Sequence, residues 1–269
     1  MTWTPPTRSG RDYQIVHKFG ADENIGTSFA PVARGSIYRT PQVGGATALR
    51  VKAGNAADTA DGDGAREVTL IGLDETGQEV TETLATAGES ASGNTNVTFI
   101  RLYRAFISKS GAYGGPGVNG HAAAVVIEKA AGSEDWATMF FTDKPRGQSE
   151  IAAYSVPLGY RAYVRSIKIN VATGTNKQAD ILFTQRGSIL DTAAPYEAER
   201  MIIEFTGVDG REEVRPDNPW GPFSELTDLI FYAKSSATSQ VNIDFEIVLV
   251  RNEDVVPTLD YMPNPSSDY

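Results

Sequence analysis

Two alternating runs within residues 154–186 do most to limit what this chain can fold into. In residues 161–171, Tyr163, Ile167, Ile169 and Val171 fall on one parity, and Ser166, Lys168 and Asn170 on the other. Period two over that length gives a strand with one buried and one wetted face. In residues 179–185, Ile181 and Phe183 share a face, with Asp180 and Thr184 opposite. The connector Ala-Thr-Gly-Thr-Asn-Lys supplies the Gly and Asn that positive φ favours, so the two runs are expected as a β-hairpin. Residues 241–251 carry the cleanest alternation, with Val241, Ile243, Phe245, Ile247 and Leu249 inward and Asn242, Asp244 and Glu246 outward.

Similar segments recur at 48–52, 67–73, 78–84, 97–107, 123–128, 199–205 and 229–233, between turn signals, while helix-forming runs are scarce. That profile is all-β. Residues 74–77, Asp-Glu-Thr-Gly, form a compact hairpin loop with glycine where a left-handed residue is needed. Residues 132–150 read as a junction, and 216–222 as irregular chain holding Trp220. Ser224 is placed to cap one short helical turn over 224–228. Residues 1–34 show no sustained periodicity, being broken by Pro5, Pro6, Gly10, Gly20, Gly26 and Pro31. They nonetheless carry Trp3, Tyr13, Ile15, Phe19 and Phe29, which a disordered tail would lack. The organisation expected is therefore two β-sandwich or jelly-roll modules, 35–133 and 134–252, between extended arms at 1–34 and 253–269.

Composition narrows the function classes. No apolar run is long enough to span a bilayer, and Met-Thr-Trp-Thr-Pro-Pro is not a signal peptide, so no membrane role is expected. With no cysteine, disulfides and thiolate chemistry are excluded. A net charge of −10 argues against nucleic acid as a partner and suits a basic protein surface.

Each motif with chemical potential has a plainer reading. Residues 58–64 place Asp58, Asp61 and Asp63 among glycines, as part of a calcium loop would, but lack its regular odd-position spacing and closing glutamate. A tight acidic turn is the expectation. Glu79 and Glu82 differ by an odd number, so on one strand they point to opposite faces and cannot act as a glycosidase pair. His17 and His121 are the two imidazoles; neither has a neighbouring histidine or nucleophile motif, so both read as surface or core histidines. The glycine-rich stretch 111–120 has no lysine-serine pair or following helix to cradle phosphate, and reads as a surface loop. Trp3, Trp136 and Trp220 lie in irregular stretches, where aromatics anchor arms, fill interfaces or pack in the core.

Several segments taken together resemble virion structural proteins of tailed bacteriophages, especially those of aquatic hosts. They are His-Lys-Phe-Gly at 17–20, Asp-Gly-Asp-Gly-Ala-Arg-Glu-Val-Thr-Leu-Ile-Gly-Leu-Asp at 61–74, and Val-Thr-Phe-Ile-Arg-Leu-Tyr-Arg at 97–104. Tyr-Ser-Val-Pro-Leu-Gly at 154–159 and Phe-Glu-Ile-Val-Leu-Val at 245–250 follow. The resemblance spans roughly residues 15–252 and implies a capsid decoration or cement protein of β-sandwich modules. It further implies a trimer on the capsid exterior with the major capsid protein as partner, and no catalytic residue, metal or cofactor. The interface residues expected on that reading are Trp3, Phe19, Phe29 and Tyr261. The alternative is a tail or fibre protein holding host glycan through Tyr113, Asn119 and Trp220. A polysaccharide-degrading enzyme is the third reading and requires carboxylates converging from different strands.

Overall fold

The computed structural model describes residues 5, 7, 13–39, 45–112, 120–132, 134–141, 147–172 and 178–255. Its strands pair antiparallel throughout, and no α-helix occurs among the described residues. The chain forms two compact units, one from Met1–Val32, Ala152–Ile189 and Pro195–Tyr269, the other from Ala33–Ile151 with Leu190–Ala194. Strands β1 (Tyr13–Ile25) and β2 (Ala30–Pro31) open the first unit. The second holds β3 (Leu49–Ala53), β4 (Ala65–Asp74), β5 (Glu79–Ala85), β6 (Phe99–Ser110), β7 (Val125–Lys129) and β8 (Asp135–Met139). The first unit resumes with β9 (Ala153–Ser155), β10 (Tyr160–Val171), β11 (Ala179–Arg186) and β12 (Arg200–Val208). It ends with β13 (Arg211–Val214), β14 (Trp220–Phe223), β15 (Asp228–Ser235) and β16 (Ser239–Arg251).

In the first unit, one sheet runs β1-β16-β10-β13 with β14 beside β10, and the other β12-β11-β15-β2 with β9 beside β15. Phenylalanines join their inner faces. Phe231 lies 5.0 Å from Phe245, Phe183 lies 6.2 Å from Phe223, and Phe183 stacks on Phe231 at 4.4 Å. This is a β-sandwich with an aromatic centre.

The expected hairpin of β10 and β11 is not formed. β10 pairs with β16, β13 and β14, whereas β11 pairs with β12 and β15, so the two strands belong to different sheets. Alternation fixes which face of a strand is buried, but two apolar faces can lie side by side or oppose each other across a core. The connections β12–β13 and β15–β16 cross between sheets in the same way, in jelly-roll style.

Residues 13–25 are likewise a strand and not an extended arm, since β1 pairs with β16 from Tyr13↔Val250 to Ile25↔Ser239. The insertion of the second unit between β2 and β9 follows from this pairing, which ties the start of the chain to its end. Boundaries accordingly fall at Val32/Ala33 and Ile151/Ala152, away from those expected at 34 and 133. At the other terminus Val255 bridges Thr7, and residues 256–269 of the expected second arm lie outside the described residues.

The second unit has sheets β3-β7-β8 and β5-β4-β6. β4 and β5 form the expected hairpin, from Glu67↔Ala85 to Leu73↔Glu79. Asp74 Oδ1 accepts the amides of Thr76 and Gln78 at 2.8 and 3.0 Å, and Gly77 takes φ 81°. Residues read as a junction are here β8, with Trp136 buried. The stretch read as irregular contains β14, paired to β10 with Trp220 opposite Val164. No helical turn forms after Ser224. Leu226 adopts φ 58° and donates its amide to Val156 O, turning the chain into β15.

Candidate interaction face

The outer face of the β12-β11-β15-β2 sheet gathers large apolar side chains that a sandwich would ordinarily replace with polar ones. Cross-strand pairing sets its rows, because directly opposed residues share a face. Glu204, Leu182, Tyr232 and Pro31 form one row; Met201, Thr184 and Ile230 form the next, with Thr184 and Ile230 buried. Asp180 pairs Lys234 beyond them, and the Lys234 ammonium sits 4.7 Å from the centre of the Phe29 ring. Phe29 is 40% exposed and Met201 56%, while Leu182, Tyr232 and Pro31 are half-buried. Two charge pairs within the face are compensated, while Glu204 is exposed and takes no ion pair among the described residues. Lys234 Nζ lies 3.2 Å from Asp180, and Arg186 donates to Glu199 at 2.7 Å. Glu199 also takes Thr184 Oγ1 at 2.5 Å and the Tyr232 hydroxyl at 3.4 Å. Such a surface releases water at little cost when another protein covers it.

Burial first, and the Glu199 carboxylate second, push the Tyr232 phenol well above the ordinary tyrosine range, against a smaller pull from Arg186. A group raised on folding contributes stability that is complete below its unfolded value, about 10, and is lost as pH rises from there through its folded value. Stability is therefore expected to fall in strongly alkaline solution. Tyr232→Phe should remove part of that slope in Tm measured against pH; identical slopes would count against the coupling.

Phe29 is thus on this face, as an expected interface residue. Phe19 is half-buried on β1, opposite Asp244 on the charged outer face of the other sheet. Trp3, Tyr261, Tyr113 and Asn119 lie outside the described residues. Trp220 is half-buried in strand β14 and not at a loop tip. Leu182 falls on the wetted parity of its strand with Asp180 and Thr184, while nothing in the sequence marks Tyr232 and Lys234 as part of a face. Met201 shares the parity of Ile203 and Phe205, which face the core. A register shift opposite Phe183 and Thr184 turns it to the outer face instead.

In the second unit the acidic turn is a structural latch. Asp58 is fully buried, its Oδ1 accepting the amides of Ala65 and Ala122, both at 2.8 Å, and its Oδ2 that of Ala123 at 3.2 Å. Arg66 Nε donates to Gly62 O at 2.7 Å, filling the carbonyl side of the loop. No cluster of three or more His, Asp or Glu suited to a metal occurs among the described residues. Glu79 binds the Tyr103 hydroxyl, while Glu82 accepts the amides of Asn96 and Val97 at 2.6 and 3.1 Å. His17 is a surface residue 3.7 Å from Glu246. His121 is buried, its Nδ1 2.5 Å from Ala123 O and its ring edge-on to Phe141.

No protein-family profile and no curated protein matches the chain. Among solved structures, the mitogen of Yersinia pseudotuberculosis is similar at 13% identity over 39% of this chain and 93% of its own, with TM-score 0.20. Structures of infectious bursal disease virus are similar for the Gx strain at 9% identity, over 93% of this chain and 74% of the viral chain, with TM-score 0.25. For the Gt strain the values are 10%, 91%, 74% and 0.23. TM-scores this low do not mark a shared fold, and the role of the chain rests on its own geometry.

Proposed function

We propose that the chain is a non-enzymatic structural protein of a virion, decorating the capsid exterior and bridging major capsid subunits. The observation that carries this reading is the outer face around Phe29, Leu182, Met201 and Tyr232, where exposed apolar side chains sit beside the paired charges Lys234–Asp180 and Arg186–Glu199. Full burial of an apolar side chain contributes about 1.5–3 kcal/mol, so covering the exposed parts of Phe29 and Met201 adds a modest amount per copy. Repetition over a shell multiplies that contribution through multivalency. The net charge of −10 favours basic subunit surfaces and speeds encounter with them. Cementing requires no reaction: surface buried across a seam raises the barrier to rupture under genome pressure.

Particles lacking the protein are expected to release their genome at lower temperature than complete ones. Adding back the Phe29→Ser, Met201→Asp double variant should restore less of the difference than adding back the wild type. Unchanged genome retention without the protein, or full rescue by the double variant, would remove the proposal.

A further inference from the structure

We propose that Asp209–Gly210, in the turn from β12 to β13, is a site of spontaneous isoaspartate formation, and that the fold protects the two other Asp-Gly pairs. The described residues hold three such pairs, at Asp61–Gly62, Asp63–Gly64 and Asp209–Gly210. The reaction needs a free aspartyl side chain and a following amide nitrogen free to approach it. Glycine is the favoured successor because it has no Cβ to hinder that approach.

The first two pairs are locked. Gly62 N donates to Thr59 O and Gly64 N to Ala57 O, both at 2.9 Å. Asp61 O accepts from Arg66 at 3.3 Å, and Asp63 O from the amide of Ala112 at 2.9 Å. Closing a ring at either glycine would break the hydrogen bond that its amide donates. Asp61, Asp63 and Asp209 are alike exposed and without a side-chain ion pair or hydrogen bond among the described residues, so the difference lies in the backbone. Gly210, at φ 86°, accepts from Val171 N at 2.7 Å through its carbonyl, while its own N–H donates to no acceptor among the described residues.

In the reaction, the Gly210 nitrogen attacks Cγ of the protonated Asp209 carboxyl. A C–N bond forms, and the amide hydrogen and the carboxyl hydroxyl leave together as water, closing a succinimide. Water then adds to either ring carbonyl. Opening at the former peptide carbonyl leaves the main chain running through the side-chain carbonyl, one methylene longer. The net composition is unchanged, which separates this product from deamidation of an asparagine. The lengthened link lies between Gly207, whose N–H is held by Asp180 Oδ1 at 2.8 Å, and Arg211, which pairs with Asn170.

The test ages the full chain for weeks at neutral pH and body temperature. Isoaspartate is then read at each pair by peptide mapping and by methyl uptake from S-adenosylmethionine with an isoaspartate methyltransferase. Isoaspartate is expected at Asp209 severalfold above Asp61 and Asp63, and Asp209→Glu should abolish the Asp209 signal. In denaturant the three pairs should convert at similar rates, which assigns the difference to the fold. Equal conversion in the folded protein, no conversion at Asp209, or a preference for Asp209 that persists in denaturant would each overturn the proposal.

Discussion

Replacing Asp58 by alanine is expected to destabilise the second unit by about 4 kcal/mol. Each buried donor left unsatisfied costs about 1–3 kcal/mol, and three depend on this one carboxylate. Those donors belong to Ala65, at the start of β4, and to Ala122 and Ala123, just before β7, so the side chain fastens two distant segments. For a protein of this size such a loss corresponds to a fall in Tm of roughly 10 °C. Asp58→Asn retains an oxygen for Ala65 and Ala122 but turns an amide nitrogen, which cannot accept, toward Ala123. It should cost about half as much, since one of three bonds is lost and the rest lose their charge assistance. Added calcium should leave the wild-type Tm unchanged, because Asp58 and the Gly62 carbonyl are already occupied by amides and Arg66. A rise with calcium, or an alanine variant as stable as the wild type, would return the loop to the cation-site reading.

What the sequence reveals and conceals follows from one property of strands. Alternation reports burial against exposure, so β10, β11 and β16 were legible as strands with their core faces, except at Tyr163: a register shift between Val164 and Ser166 puts it opposite Val248, on the other face from Ile167, Ile169 and Val171. It does not report which strands are neighbours. Ile167 and Ile181 both face the core, yet they belong to opposing sheets. β1 was concealed because its alternation is inverted. Lys18, Gly20 and Asp22 occupy the inner parity opposite Phe245, Ile243 and Val241, while Tyr13, Ile15 and Phe19 face outward. Lys18 and Asp22 are buried all the same, so local hydropathy carried no signal of the strand. The candidate interaction face was half visible for a related reason. Phe29 stood out as an aromatic in a proline-broken segment, but Met201 reaches that face through a bulge that no residue pattern announces.

Truncating Glu150 to alanine is expected to cost about 3–5 kcal/mol, the range for removing one partner of a buried ion pair. Arg34 Nε lies 3.1 Å from Glu150 Oε2, with the two side chains 8% and 2% exposed. The Arg34 amide also donates to Glu150 O at 3.1 Å, and Ala33 bridges Ile151 alongside. The pair therefore clamps the two passages of chain that open and close the second unit. Without Glu150 the guanidinium, 5.7 Å over the Phe140 ring, loses its buried counter-ion. Replacing both partners, as Arg34→Met with Glu150→Leu, removes the stranded charge along with the attraction. That double variant should be more stable than either single truncation, and within about 1 kcal/mol of wild type if the apolar pair packs well. The stability difference between Glu150→Ala and wild type should also vary little with salt, since buried charges are weakly screened. The deciding measurement is a double-mutant cycle in denaturant. Additive losses would show that Arg34 and Glu150 act separately, and a Glu150→Ala loss that disappears at high salt would place the pair in solvent.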